Sequence, residues 1–560
     1  METITSPVGQ QSSEEVTTPA KASSPLPPSP AAKKSLAFWL VIVSLCLIAF
    51  MSALDGSIIA IALPHISSSL NFGDKYVGVA NCFVFAQTVA QPGIAQLCNI
   101  FGRRWPMIIS VCVFAVGSGV AGGANDATTM IAGRTVQGLG SGGIMLLVEL
   151  IVCDMVPLRE RGKYLGIVLS VSALGSILGP VIGGAIVEWD WRWCFYLSLP
   201  ACGVVLPVQL FLLRIKHLKV AWREVVTRVD WTGNVIFIGS VTSLLIGLTF
   251  GGAVHPWSSW RVIVPIVVGG LGWAGFHWYE YFIRDREPCV PPNVFSNRTS
   301  GAAFYMIFIT STLLQWVCFF WPVYFMAILG ESLVQTGVDF LPFTFLLVPG
   351  SAVAGILLSK TGRYRRLHFI GFALSTLGPG LNTLLRRDTH AGGWAMLQMV
   401  DAVGRAFILP TTLPAILASL PEKDVAAATG VYSFLRSFGF VWGITIPSLI
   451  FNHRFDRMSD RISDTSVRDT LGGGRAYEFA TGPYVQNLPP NSKSEVLDVY
   501  LEALKAVWFG AMALGATGLI AVAIEKHVPL RTDLETEYGL QEKRQNKDGE
   551  WTGGPKKDNS

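Results

Sequence analysis

Ala95-Gln96-Leu97-Cys98-Asn99-Ile100-Phe101-Gly102-Arg103-Arg104 closes the second of a series of long apolar runs. Its pattern returns far downstream as Gly355-Ile356-Leu357-Leu358-Ser359-Lys360-Thr361-Gly362-Arg363-Tyr364. A small residue, an apolar run, a polar residue and then Gly-Arg recur at identical internal spacing. A weaker echo joins Pro157-Leu158-Arg159-Glu160-Arg161-Gly162, before the fifth run, to Pro421-Glu422-Lys423-Asp424, before the thirteenth. The same loop after the second helix of each half describes two repeated six-helix halves. That is transporter architecture, with the substrate site between the halves near the membrane midplane.

Composition agrees. The chain has 560 residues, 51% hydrophobic and 14% charged, against roughly 25% charged in a soluble domain. With a mean hydropathy of +0.46, it reads as an all-α polytopic membrane protein. A span needs about 20 mainly apolar residues, and that rule gives fourteen. The first six are 36–63, 76–98, 106–123, 128–153, 164–188 and 194–213, and two more follow at 232–251 and 260–283. The last six are 300–328, 335–358, 367–385, 394–420, 425–451 and 501–524. Spans one to six correspond to nine to fourteen, with seven and eight as an insert.

The expected domains are a disordered Ser/Thr/Pro-rich tail at 1–35 and an N-terminal bundle at 36–213. A central loop with the two inserted helices occupies 214–299. A C-terminal bundle at 300–524 carries an outer loop at 452–500, and a second tail runs over 525–560. The first 35 residues lack a signal-peptide layout, so the first run is a retained span.

Loops on one side carry seventeen Lys and Arg residues, including Arg103, Arg104, Arg159, Arg161, Arg363 and Arg365. Loops on the other side carry five. The positive-inside rule therefore places the first side, with both termini, in the cytoplasm. The sequon Asn297-Arg298-Thr299 falls on that side and is expected to stay unmodified. The outer 452–500 loop alternates Arg454, Asp456, Arg457, Asp460, Arg461 and Asp464 at helical spacing, which predicts a solvated amphipathic helix, with a substrate cap as the alternative.

A net charge of +5 is too small to point to nucleic acid. The nine cysteines form no CxxC pair and read as small buried hydrophobes. His65, His277 and His368 are isolated, and neither a metal cluster nor a nucleophile–base pair nor a nucleotide loop is visible. The reading is not an enzyme, with no cofactor and no metal.

Four segments carry a family likeness. They are Leu54-Asp55-Gly56-Ser57-Ile58-Ile59 running on to Ala62-Leu63-Pro64, the Ala95–Arg104 loop, Gly133-Arg134-Thr135-Val136-Gln137-Gly138-Leu139-Gly140, and Gly175-Ser176-Ile177-Leu178-Gly179-Pro180-Val181-Ile182-Gly183-Gly184. With these, residues 36–525 resemble the major facilitator superfamily, specifically its fourteen-span drug:H⁺ antiporters and the fungal efflux pumps among them. The resemblance implies the major facilitator fold, two six-helix bundles plus two inserted helices. It implies a monomer in the plasma membrane (or a vacuolar or vesicle membrane) that uses protons and a small-molecule substrate. It marks Gly175, Gly179, Pro180, Gly183 and Gly184 as the antiporter motif that limits proton leak. It also marks Asn99, Gly102, Arg103 and Arg104, with Gly362 and Arg363 of the second copy, as a conformational loop. Ala95 and Asn99 depart from the family's usual Gly and Asp. Asn99 lacks the charge that latches one conformation, and Asp154 at the end of span four is the candidate to replace it.

The residues themselves suggest the chemistry. A carboxylate at membrane depth costs roughly 2.5–3.5 kcal/mol on insertion scales, so Asp55 needs a job or a partner. Asp55 and Arg134 both lie about 10–12 Å below the outer surface at 1.5 Å rise per residue. A guanidinium favours the ionised carboxylate and desolvation the neutral acid, so such a pair suits proton coupling; a permanent ion pair is the competing reading. Asn81, Gln87 and Gln91 line one region of span two, and Gln137, Trp316 and Phe320 join them as cavity candidates. Asp401 and Arg405 sit four apart in span twelve and can neutralise each other. Arg436 has no acidic neighbour on its own helix and is expected to bind a substrate carboxylate or a partner such as Asp401. The leading reading is a proton-driven exporter of amphipathic drugs or secondary metabolites. The alternative is an uptake symporter for a siderophore or organic acid, since fold alone does not fix direction.

Overall fold

A computed structural model of the chain describes residues 35–70, 76–187, 189–213, 228–252, 254–282, 288–480 and 484–531, with a few side chains in helices, Pro180 among them, outside that set. The tails at 1–34 and 532–560 and most of the central loop lie outside the described residues.

The long helices are α1 (Leu36–Leu70), α2 (Tyr76–Phe101), α3 (Arg104–Gly122), α4 (Ala127–Met155), α5 (Leu158–Val187) and α6 (Trp193–Leu212, with a one-residue break at Leu197). The inserted pair is α7 (Trp231–Phe250) and α8 (Trp260–Phe282). The second set is α9 (Arg298–Val323), α10 (Leu341–Thr361), α11 (Tyr364–Asn382), α12 (Ala391–Ala418), α13 (Val425–Met458) and α14 (Pro490–Ile524). Their starts are conventional. Asp126 accepts from the backbone of Thr128 and Thr129, Asp230 from Gly233 and Asn297 from Thr299, each satisfying an amide that the first turn leaves free.

Twelve of the described helices are long and apolar enough to cross a membrane. The other two, α2 and α11, form as continuous helices of 26 and 19 residues but fall short on apolar content. Gln87, Gln91 and Gln96 dilute the first, and Arg365, Arg366 and His368 the second. Such polar groups are tolerated at depth when they face protein or a water-filled cavity, and both helices pack within bundles.

The internal repeat holds in three dimensions. In each set of six the first helix packs on the fifth, and the second and third pack on the fourth. These pairings are α1 with α5, α2 and α3 with α4, then α9 with α13, α10 and α11 with α12. Between the sets, the second helix of each packs on the fifth of the other: α2 on α13 and α10 on α5. The two copies of the Gly-Arg loop even share a backbone conformation. Gly102 (φ 75°) and Gly362 (φ 66°) end α2 and α10 in the left-handed region that favours glycine.

In lipid, helices associate by close van der Waals packing, which favours small residues at contacts. A Cβ on Gly117 would meet the Gln137 backbone nitrogen at 2.2 Å, so α3 and α4 lie nearly backbone to backbone. Gly175, Gly179 and Gly183 do the same along α1, against Phe50, Ser57 and Ile58. Gly175, Gly179 and Gly183 thus join α5 to α1 of its own bundle.

The seam between the halves is shut at the end where α1 begins, α14 finishes and the Arg-rich loops lie, called here the basic end. Arg159 donates to the Ser359 and Lys360 carbonyls at 2.9 Å each, and Arg161 reaches Glu422 at 3.4 Å. A Cβ on Gly355 would sit 2.2 Å from the Gly162 carbonyl oxygen. Bonds continue up the seam to Ser170, which donates to the Val348 carbonyl at 2.7 Å.

The insert leans on this seam. Asn234 of α7 donates to Gln96 of α2 at 2.8 Å, while Phe237 meets Phe434 of α13 edge to face and Trp273 meets both Phe434 and Phe438 in the same way.

The 452–500 region starts as the amphipathic helix expected there, with Arg454, Asp456 and Arg457 exposed and Phe455 and Met458 buried, but the rest of it is folded onto the bundle. α13 runs on to Met458 and α14 begins at Pro490, so both ends of the region belong to the spanning helices. Between them, short helices at Thr465–Leu471 and Ala476–Ala480 fold back onto the C-terminal bundle. Tyr477 stacks on Phe320 at 5.0 Å, and Gln486 donates to the Met326 and Ala327 carbonyls. Apolar side chains at Val467, Leu471 and Val485 are buried there, which a fully solvated helix would not allow.

Candidate transport site

Depth matching brings Asp55 and Arg134 together as expected. Arg134 Nη1 donates to Asp55 Oδ2 at 2.7 Å, with the residues 0% and 1% exposed. α4 supplies the guanidinium because Asp126 caps its start two turns earlier. α1 supplies the carboxylate because Gly175 and Gly179 let α5 press it inward. Arg134 also donates to Gln137 at 2.8 Å, and Gln137 in turn donates to Ser118 at 2.8 Å. The Phe83 ring covers the guanidinium at 4.3 Å, a contact that stabilises a desolvated cation.

The pair is incompletely bonded. Asp55 Oδ1 and Arg134 Nε and Nη2 are buried without a hydrogen-bond partner among the described residues. Among the described residues the pair is held by the Asp55–Arg134 bond and by Gln137.

The other candidates fall into two groups. Gln87 is half-buried on α2, as is Asn81. One turn on, Gln91 is buried and crosses the seam to donate to Ser437 of α13 at 3.2 Å. Of these three, Gln91 stands at the interface of the halves. The second group packs within single bundles. Gln137 lies inside the N-terminal bundle as an anchor for Arg134. Trp316 and Phe320 are 1% and 0% exposed, packed in the C-terminal bundle and under the outer loop. Asp401 and Arg405 close on each other at 2.9 Å, with Asn382 donating to the carboxylate and the Leu313 carbonyl accepting from the guanidinium. Both are fully buried, the arrangement of a neutralised structural pair.

Arg436 overturns the expectation of a substrate carboxylate or Asp401. Its guanidinium is ion-paired with Glu149 of α4, in the other half, and lies 5.4 Å from the Tyr432 ring centroid. Ser433, one turn before Arg436, donates to the second Glu149 oxygen at 2.7 Å. Sequence reasoning sought a partner on the same helix and in the same half, and so passed over Glu149. The signal was present, since a glutamate in an apolar span carries the same warning as Asp55.

At the basic end, the loop's Arg103 is paired with Asp154 of α4. Arg103 Nε bonds Asp154 Oδ2 at 2.8 Å and Arg103 Nη1 bonds the Cys98 carbonyl at 2.8 Å, with both side chains 2% exposed. Arg104 bonds the Leu210 carbonyl, whereas Arg363 in the second copy stays exposed. The loop has kept its backbone in both halves and its buried ion pair in the first.

No group of three or more metal-binding side chains occurs among the described residues.

Comparison with known proteins follows the same lines. The sequence profile of the Major Facilitator Superfamily matches residues 45–444. The chain is 46% identical to the MFS efflux transporter aclA of Aspergillus oryzae, over 90% of this chain and 92% of that one. It is 44% identical to the MFS-type efflux pump LUC4 of a Fusarium species, covering 92% and 93%. It is 43% identical to the efflux pump FUS6 of Gibberella fujikuroi, covering 94% and 96%. Among solved structures, the human organic anion transporter MFSD10 superposes with a TM-score of 0.54 at 13% identity, over 87% of this chain and all of that one. The proton:xylose symporter XylE gives 0.53 at 13%, over 88% and 98%. At that identity the structural likeness speaks to the fold.

Proposed function

The chain belongs to the major facilitator superfamily, and from that premise we propose that it is a proton-coupled antiporter exporting amphipathic small organic molecules, drugs or secondary metabolites. The observation that carries the proton step is the buried, incompletely bonded Asp55–Arg134 pair. Asp55 takes a proton from the outer side when substrate displaces Arg134 from its carboxylate, and gives it up on the inner side. Substrate leaves in exchange. The efflux names of relatives at 43–46% identity favour export over uptake. In this reading the substrate path opens between the halves, where Gln91 crosses the seam to Ser437.

The energetics suffice. One proton crossing 100 mV supplies about 2.3 kcal/mol and each pH unit about 1.4. A total near 4 kcal/mol supports roughly a thousandfold substrate gradient.

The experiment is direct. In inside-out vesicles, an acid-inside pH gradient is expected to drive accumulation of a hydrophobic dye or metabolite, and a protonophore to abolish it. Accumulation that survives the protonophore overturns the coupling.

The basic end is cytoplasmic in this reading, with both termini inside, a monomer in the plasma membrane and all fourteen helices crossing. A tag in the 465–480 segment is then expected to label on intact cells and tags at either terminus only after permeabilisation. Labelling of a terminus on intact cells refutes the topology.

A further inference from the structure

Asp55 and Arg134 both belong to the N-terminal bundle, so neutralising Asp55 breaks no bond between the halves. Opening the basic end requires the α4–α13 and α5–α10 contacts to part. Two carboxylates bridge that boundary: Glu422, which meets Arg161 and is partly exposed, and Glu149, which is buried and held by two groups of the opposite half, Arg436 and Ser433. Both of its partners stand on α13 and leave together when the seam opens.

We propose that Glu149 is a second proton-binding carboxylate of the transport cycle, and that its ionised form, clasped to Arg436 and Ser433, holds the basic end shut. It deepens the antiporter reading and rests on it. The chemistry is a simple exchange of charge. A proton adds to a carboxylate oxygen of Glu149, the charge-assisted bond to Arg436 loses its anion, and the guanidinium is released toward the opening cavity. When the proton leaves on the cytoplasmic side, the carboxylate regains its charge and the clasp can re-form. The clasp is buried, so salt does little to screen it.

Other ionisable groups surround this clasp. From α13 it meets Arg436 and the Tyr432 phenol, whose hydroxyl donates to the Leu409 carbonyl. On α4 itself the nearest groups are Cys153 and Asp154, the latter paired with Arg103. α5 brings Arg161, which is engaged by Glu422 just before α13. Among the described residues of α1 and α3, Asp55 is paired with Arg134 and Arg104 bonds the Leu210 carbonyl.

The test uses the full chain in lipid nanodiscs, read by hydrogen–deuterium exchange corrected for the intrinsic pH dependence of the chemistry. In wild type, peptides covering 157–163 and 355–364 are expected to exchange about tenfold faster at acid than at neutral pH. Glu149→Gln, the isostere of the protonated acid, is expected to exchange fast at both pH values, and so is Arg436→Gln. Asp55→Asn is expected to retain the pH response of the seam. A wild-type seam without pH dependence overturns the proposal, and so does a folded Glu149→Gln that keeps wild-type protection. If Glu149→Gln fails to fold, the wild-type titration decides alone. Because the readout is exchange and not transport, a failure of efflux leaves the outcome for Glu149 legible.

Discussion

Asp55→Asn is expected to abolish uphill export while leaving the protein folded in the membrane. Substrate ratios across the membrane fall from roughly thousandfold to about one. Asparagine is the informative replacement because its side-chain oxygen still accepts from Arg134 Nη1, where the aspartate bond is 2.7 Å. It removes the charge and the titration and keeps the contact. Removing one partner of a buried pair outright costs about 3–5 kcal/mol, because the other charge stays buried and uncompensated. Arg134→Ala is therefore expected to lower the amount of folded protein as well as transport. The measurement is vesicle accumulation under an imposed pH gradient, with membrane levels and thermal stability of each variant alongside. An Asp55→Asn protein that accumulates substrate against a gradient is incompatible with Asp55 as the proton site.

Gly355→Val is expected to have an effect of similar size by a purely steric route. With the basic end shut, a Cβ at this position would stand 2.2 Å from the Gly162 carbonyl oxygen and 2.9 Å from the Lys163 Cα. Both obstacles are backbone, which cannot rotate aside as a side chain can. The backbones of α5 and α10 must then separate, which also loosens the Ser170–Val348 and Arg159–Ser359 bonds along the same seam. Export is expected to fall below detection, because one of the two end states can no longer form. The bundles themselves meet no new clash, so folding is expected to survive. Accelerated exchange confined to the basic end, with normal protection inside each bundle, is the expected signature. Export at wild-type rate would show that the seam does not close this tightly during transport.

Much of this was legible in the chain because helix formation in lipid is a local matter. Each backbone group must be satisfied within its own segment, so apolar length alone marks the helices. The Gly-Arg loops around Gly102 and Gly362 announced the repeat, since a positive φ after a helix is a local demand for glycine. Asp55 and Arg134 could be paired from depth, because a fixed rise per residue turns sequence position into height.

Height does not say which neighbour stands beside a residue, and that lateral choice belonged to the tertiary structure. Gln137, Trp316 and Phe320 have depths suited to a cavity, yet packing turns them into the bundles and under the outer loop. The Arg- and Asp-rich 452–500 region looked solvated, but Tyr477 and Gln486 bind it to the C-terminal bundle. Arg436 looked unpartnered along its own helix because Glu149 lies on the other half of the repeat, far away in sequence. Glycine faces, aromatic rings and single charges read alike against any partner. Only the way the two bundles dock decides which of them meet.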